Sequence, residues 1–238
     1  MDFYDLHVHS VFSEGKSSIE EIANIASRLG YKGMCFSEYF RGRGRIEKLK
    51  KMIKRTENEA GIKIYLGFEA RNSKELTKLV KLRREFDVLL VHGGDVDLNR
   101  IAVETPEVDI LTHPELERND SGLDQVSAKF AAKNKVAIEV NFREILINYK
   151  KSRSKILSFI RRNIMLAKKF HAPIILCSGA VTHWELKDPY CLISMANQLG
   201  LELKEAKDAI SKIPKSIISQ AKERKNKKWI MPGVKVVE

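Results

Sequence analysis

A chain of 238 residues that is 43% hydrophobic and 31% charged can bury one large core, and intrinsic disorder is excluded as its default state. Its 43 lysines and arginines against 31 acidic residues give a formal charge of +12. Such a field selects nucleic acid as partner, then an anionic membrane surface, with a basic surface kept only for solubility as the plain alternative. No apolar run approaches the roughly 18 residues of a membrane span, Met1 to Asp5 lacks the basic and apolar regions of a leader, and Cys35, Cys177 and Cys191 are scattered like core thiols, so a cytoplasmic location is expected.

The first apolar run, Phe3 to Val8, has strand length, and Ile19, Ile22, Ala23, Ala26 and Leu29 follow it at helical spacing. Ser18 with Glu21 predicts a capping box at the start of that helix, and Gly30 ends it. Further strands are predicted at Gly33 to Ser37, Ile64 to Phe68, Val88 to His92, Ile110 to Thr112, Val136 to Val140 and Ile174 to Cys177, each trailed by a helical pattern. Asn72 with Glu75 caps the helix after the third strand, and Asp188-Pro189 reads as an N-cap with proline at the first helical position. The strands lack polar alternation, as parallel strands buried on both faces do. About seven β/α units result, and they close into a barrel or lie open as a doubly wound sheet; periodicity alone does not choose. We expect a single barrel domain over residues 1–220 and a basic tail over 221–238, in which Lys222 to Lys228 is solvated or touches RNA. Trp229 in that tail either stacks on a base or docks onto the barrel.

Chemistry gathers at strand ends. His7 and His9 lie two apart on the first strand and share a face, so both imidazoles reach one ion. Glu38, Glu69, His92 and His113 each fall at or just beyond the C-terminal end of another predicted strand, and in a barrel those ends converge on one mouth. The bland reading of each histidine alone is a local hydrogen bond; their recurrence favours a clustered metal site. Arg41, Arg43 and Arg45 alternate with glycines in a loop suited to a phosphate backbone, or merely to solvent. Arg71 and Arg143 follow the third and sixth strands and belong at the mouth. Lys150, Lys151, Arg153 and Lys155 open a long helix that also carries Arg161 and Arg162, and a solvated face is the plainer reading of them.

The opening Asp5-Leu6-His7-Val8-His9-Ser10 with Ser13-Glu14-Gly15 resembles the first motif of the polymerase and histidinol phosphatase (PHP) superfamily, and Glu38, Glu69, His92 and His113 match the sites that follow. The resemblance implies a distorted β/α barrel, TIM-like, of about seven strands, whose members often carry a trinuclear metal centre. The match fails after the last strand: those enzymes place an aspartate and a histidine where this chain reads Ser178-Gly179-Ala180, and Ser37-Glu38 stands for their Asp-His. With ligands missing, the metal set His7, His9, Glu69, His92 and His113 is read as vestigial, with no cofactor required beyond a residual divalent ion, and hydrolysis by the chain itself is not expected.

Cys177-Ser178-Gly179-Ala180 with Trp184-Glu185-Leu186 and Asp188-Pro189, and Val140-Asn141-Phe142-Arg143 before them, resemble the archaeal ribonuclease P protein component three family. That resemblance implies a subunit that binds ribonuclease P RNA and helps it remove the 5′ leader of precursor tRNA, paired with a small α/β protein subunit and without a membrane. Arg41, Arg43, Arg45, Arg71, Arg143, Lys150, Lys151 and Arg153 are the expected RNA contacts. Two competing readings are a metal-dependent phosphoesterase in which Glu38 and His183 compensate for the lost ligands, and a general RNA-binding protein.

Overall fold

The computed structural model describes residues 1–226, 228–231 and 234–235. In chain order the elements are β1 (Phe3–Val8), α1 (Ile19–Arg28), β2 (Tyr31–Glu38), α2 (Arg43–Ala60), β3 (Lys63–Ala70), α3 (Ser73–Lys81), β4 (Val88–His92), α4 (Val96–Glu104) and β5 (Ile110–Thr112). There follow α5 (Gln125–Asn134), β6 (Ala137–Asn141), α6 (Phe142–Ile147), α7 (Lys150–Phe170), β7 (Ile174–Cys177), a 3-10 turn (His183–Glu185), α8 (Pro189–Gln198), α9 (Leu203–Ala209), α10 (Lys212–Arg224) and a short pair, β8 (Trp229–Met231) and β9 (Val234–Lys235).

Strands β1 to β7 lie side by side in sequence order, all parallel, and Val8 bridges Ala180 to bring the first edge onto the last. His9 N donates to Ala180 O at 2.8 Å and Gly179 N to His7 O at 3.1 Å, which draws the barrel nearly shut. This settles the choice that periodicity left open, in favour of the barrel. The caps form as the sequence predicts: Ser18 and Glu21 make a reciprocal box, Asn72 accepts from Glu75 N, and Asp188 precedes Pro189.

Alternate strand residues point inward. Tyr4, Leu6, Cys35, Val88, Leu90, Ile110, Ala137, Ile175 and Cys177 fill the interior, and Ile217 and Ile218 of α10 join them. Helix α10 therefore plugs the end where the strands begin, leaving the C-terminal end open as the mouth. The outer faces of the strands pack on the helices as a second, larger apolar cluster. Residues 221–224, assigned by sequence to a tail, continue α10, so residue 220 is not a boundary but the middle of a helix. Arg224 is buried against Asp109, and Lys225 bonds Asp87. Within the expected tail, residues 227, 232–233 and 236–238 lie outside the described residues. Cys191 also departs from the core reading, lying exposed on α8, whereas Cys35 and Cys177 are buried. No described helix is long and apolar enough to cross a membrane.

A candidate metal cradle at the barrel mouth

Inward alternation continues past the apolar layers, so the strand residues nearest the mouth deliver polar side chains to one point. His7 and His9 enter from β1, Glu69 from β3, His92 from β4, His113 from just after β5 and Glu139 from β6, all buried except half-buried His92. Three groups bring their ligand atoms within 4.8 Å of one another: His7, His113 and Glu139; His7, His9 and Glu69; and Glu69, His92 and His113. All five sequence-predicted ligands are thus together. Glu139 is the member of the cluster that the sequence reading missed, although a carboxylate inside the apolar run Val136 to Val140 was a visible signal.

His7 anchors the set. Its Nδ1 donates to Glu139 Oε1 at 2.7 Å, and its Nε2 lies 2.9 Å from His9 Nε2 and 3.6 Å from Glu69 Oε1. Burial alone would lower the His7 pKa, but the charge and hydrogen bond of Glu139, with Glu69 and Asp5, raise it to about 9. Burial and the His7 charge push His9 down to about 4. His7 is then the imidazolium that donates to neutral His9, whose Nδ1 in turn faces Ser13 Oγ at 3.0 Å. His113 is likewise pushed down to about 4 by burial, with His92 and His7 adding to the effect. Burial would raise both carboxylates, yet the histidines hold Glu69 well below the usual carboxylate range and lower Glu139.

Two carboxylates cross-link the strand ends. Glu139 Oε2 accepts from His113 N at 3.0 Å and Asn141 Nδ2 at 3.2 Å; Glu69 Oε1 accepts from Thr112 Oγ1 at 2.8 Å. The Glu139 bond holds His113 at φ 25°, a left-handed conformation that costs a non-glycine residue on the order of 1 kcal/mol or more. Glu69 Oε2 and His113 Nδ1 are buried without a hydrogen-bond partner. Orphaned donor atoms beside a mixed imidazole and carboxylate set fit a divalent ion of the zinc, manganese or iron class. Glu38 stands apart from the three groups: it accepts from Ser10 Oγ at 2.6 Å, and burial raises it to about 7. His183 is also elsewhere, its Nδ1 2.8 Å from Ser17 Oγ, so neither residue replaces a lost ligand.

The end of β7 is committed to closing the barrel. Ser178 N donates to both Asp5 oxygens at 3.3 and 3.2 Å, and Ser178 Oγ accepts from Ala180 N at 3.1 Å. Gly179, at φ 63°, leaves no room for a Cβ, which would stand 2.4 Å from Asn141 Oδ1.

Around the mouth, Arg71 stacks on Tyr39 at 4.2 Å and pairs with Glu75 at 3.1 Å; Tyr39 OH donates to Glu14, which stands 3.6 Å from His9. Arg143 bonds Glu185 at 3.1 Å. Arg43 and Arg45 are not loop residues: Gly42, at φ 106°, turns the chain into α2, which Arg43 opens. Arg43 Nε bonds Glu85 at 3.1 Å and Arg45 bonds Phe12 O at 3.2 Å, leaving Arg41 exposed in the loop. Lys150, Lys151 and Arg153 open α7 as expected; Arg153 bonds Asn148 O, whereas Lys151 is exposed and unpaired among the described residues. Lys155 bonds Asn119 Oδ1 and Arg161 bonds Gln198 O. Trp229 docks by the plainer alternative, with Arg84 over its ring at 5.4 Å, beside the plugged end of the barrel.

Known proteins match this architecture throughout. The sequence profile of RNase P subunit p30 matches residues 2–226. Ribonuclease P protein component 3 of Methanosarcina mazei is 37% identical over 240 residues, covering 100% of this chain and 96% of that one. Among solved structures, the cryo-EM structure of archaeal ribonuclease P with mature tRNA contains a chain that superposes with a TM-score of 0.82 at 30% identity, covering 98% of each. A β-aspartyl dipeptidase from Fervidobacterium islandicum superposes with a TM-score of 0.61 at 14% identity over 91% of this chain and 72% of that one, which shows the barrel fold alone. With a profile match spanning nearly its whole length, the chain belongs to the RNase P subunit p30 family.

Proposed function

We propose that the chain acts in ribonuclease P as a binding and positioning subunit rather than as its hydrolytic centre. Membership of the p30 family makes it a ribonuclease P protein subunit. The observation that carries the non-catalytic role is the end of β7, where Ser178, Gly179 and Ala180 spend their polar atoms on β1, on Arg143 N and on one another and present no carboxylate or imidazole to the mouth. A hydrolytic centre needs anionic ligands enough to hold its ions close and an open position for water. His7, His9 and Glu69 would hold one divalent ion, and Glu139 and His113 lie against the same set. When bound, such an ion would supply Lewis-acid charge; the chain's own residues there tie strand ends together.

Recognition of ribonuclease P RNA and precursor tRNA would fall to the basic surface, with Arg41, Lys150 and Lys151 offering cations that no carboxylate engages among the described residues. Each phosphate they neutralise releases counterions, so affinity falls steeply with salt. A small α/β protein subunit as neighbour and a cytoplasmic location complete the reading.

The test is a tagged copy purified from its native cells and assayed for removal of the 5′ leader from precursor tRNA before and after digestion with a nuclease that destroys RNA. Activity that disappears on digestion supports the subunit reading; activity that survives returns catalysis to protein; no cleavage in either sample from an intact preparation refutes the assignment.

A further inference from the structure

Trp184 is 78% exposed, the most exposed of the large apolar side chains described. Tryptophan is expensive to leave in water, and its neighbours on either side are fastened down. His183 is tied to buried Ser17 twice, its ring Nδ1 lying 2.8 Å from Ser17 Oγ and its backbone N donating to the same oxygen at 3.1 Å. Glu185 accepts from Val181 N at 3.0 Å and from Arg143 Nε at 3.1 Å. The 3-10 turn is therefore rigid beneath an indole that it projects outward, with the His183 ring 4.4 Å away.

Two lysines belong to the same patch of chain. Lys16, joined to this segment through its N–H to Val181 O at 2.7 Å, is exposed and unpaired among the described residues. Lys187 places its ammonium 3.3 Å from Trp184 O and meets no carboxylate there. An exposed indole with the Lys187 ammonium against its own backbone, and Lys16 on the adjoining stretch of chain, suits a polyanion better than an apolar partner.

We infer that Trp184 is a stacking platform for an unpaired nucleobase of RNA, with Lys16 and Lys187 taking the adjoining phosphates. The inference rests on the ribonuclease P reading and gives it a contact point on this chain. Exposed aromatic faces bind unstacked bases without regard to sequence, and lysines beside them neutralise the backbone.

The test titrates the full-length chain into ribonuclease P RNA assembled with the other protein subunits. Trp184→Ala should weaken joining by about tenfold while leaving the salt slope unchanged, and Trp184→Phe should restore most of it. Lys16→Gln with Lys187→Gln should instead lower the salt slope by about two. In a Trp229→Phe background, Trp184 emission should be quenched on joining the RNA-containing assembly and not on mixing with the protein subunits alone. Quenching by the protein subunits alone, or affinity for the RNA assembly unchanged in Trp184→Ala, overturns the platform. Failure of the wild-type chain to join the assembly defeats the ribonuclease P reading itself, and the platform with it.

Discussion

Replacing Asp109 by asparagine removes the negative charge that Arg83 and Arg224 share at the plugged end of the barrel. All three side chains are buried. Asp109 Oδ1 accepts from Arg224 at 2.8 Å, Oδ2 accepts from Arg83 and from Leu89 N at 2.9 Å, and Arg83 also bonds the carbonyls of Asp87 and Glu107. Asparagine keeps the volume and an acceptor for Leu89 N but leaves two desolvated guanidiniums repelling each other. Breaking a buried pair from one side costs about 3–5 kcal/mol. For a chain of this size each kcal/mol lowers Tm by about 2–4 °C, so the expected fall is about 6–20 °C. Thermal unfolding followed by circular dichroism measures it. Adding Arg224→Met should recover part of the loss, since one uncompensated charge is then gone. RNA affinity at matched salt should be unchanged by Arg224→Met alone, because this arginine faces Asp109 and not solvent. A Tm loss under about 2 °C in Asp109→Asn, or a drop in RNA affinity in folded Arg224→Met, would refute the assignment of this network to stability.

Other consequences are as direct. Burial raises Glu115 to about 8, so the folded state holds this proton more tightly than the unfolded state, and stability falls as pH rises from about 4.5 to 8. Glu115→Gln, which keeps a partner for Asn163, should flatten that slope and melt several degrees above the wild type at pH 8.5, with no advantage at pH 4. His7→Ala with His9→Ala should lower leader cleavage by reconstituted ribonuclease P only a few-fold while lowering Tm; collapse of cleavage with the fold intact would contradict a non-catalytic cradle. Lys151→Gln should reduce the slope of log affinity against log salt by about one, and Arg71→Gln by less, because Glu75 already neutralises part of the Arg71 charge.

Strands were legible because each is an apolar run with charged helices on either side, and the caps were legible because they are local pairs such as Ser18 and Glu21. Partners distant in sequence were not. Lys222 to Lys228 is a charge run by composition, yet Arg224 is buried because its carboxylate partner lies at Asp109, a pairing that no local pattern announces. The loop placement of Arg43 and Arg45 failed for a related reason: alternating glycines argue for irregular backbone, but Ile46, Leu49 and Ile53 bury on one face of α2 and pull the helix start back to Arg43. In the cradle, the five candidate ligands near strand ends were visible through the β/α rhythm, whereas Glu139 lies inside its strand, one layer below where that rhythm looks.

The cradle is costly to bury. It buries two carboxylates and an imidazolium that would be better solvated in water. What offsets that cost is topological. The edge between β1 and β7 is held by a single bridge, Val8 with Ala180, by backbone bonds from Gly179 and His9 and by Ser178 N on the Asp5 carboxylate, without the continuous ladder that joins β2 to β3. His7 with Glu139 ties β1 to β6 across that weak seam, Thr112 with Glu69 ties β5 to β3, and the His113 amide on Glu139 secures the turn after β5. Removing the charges one at a time would leave buried partners unpaired, so each residue is held in place by the others. The same residue pattern that marks a candidate metal site in sequence thus also clasps the strand ends of the barrel together.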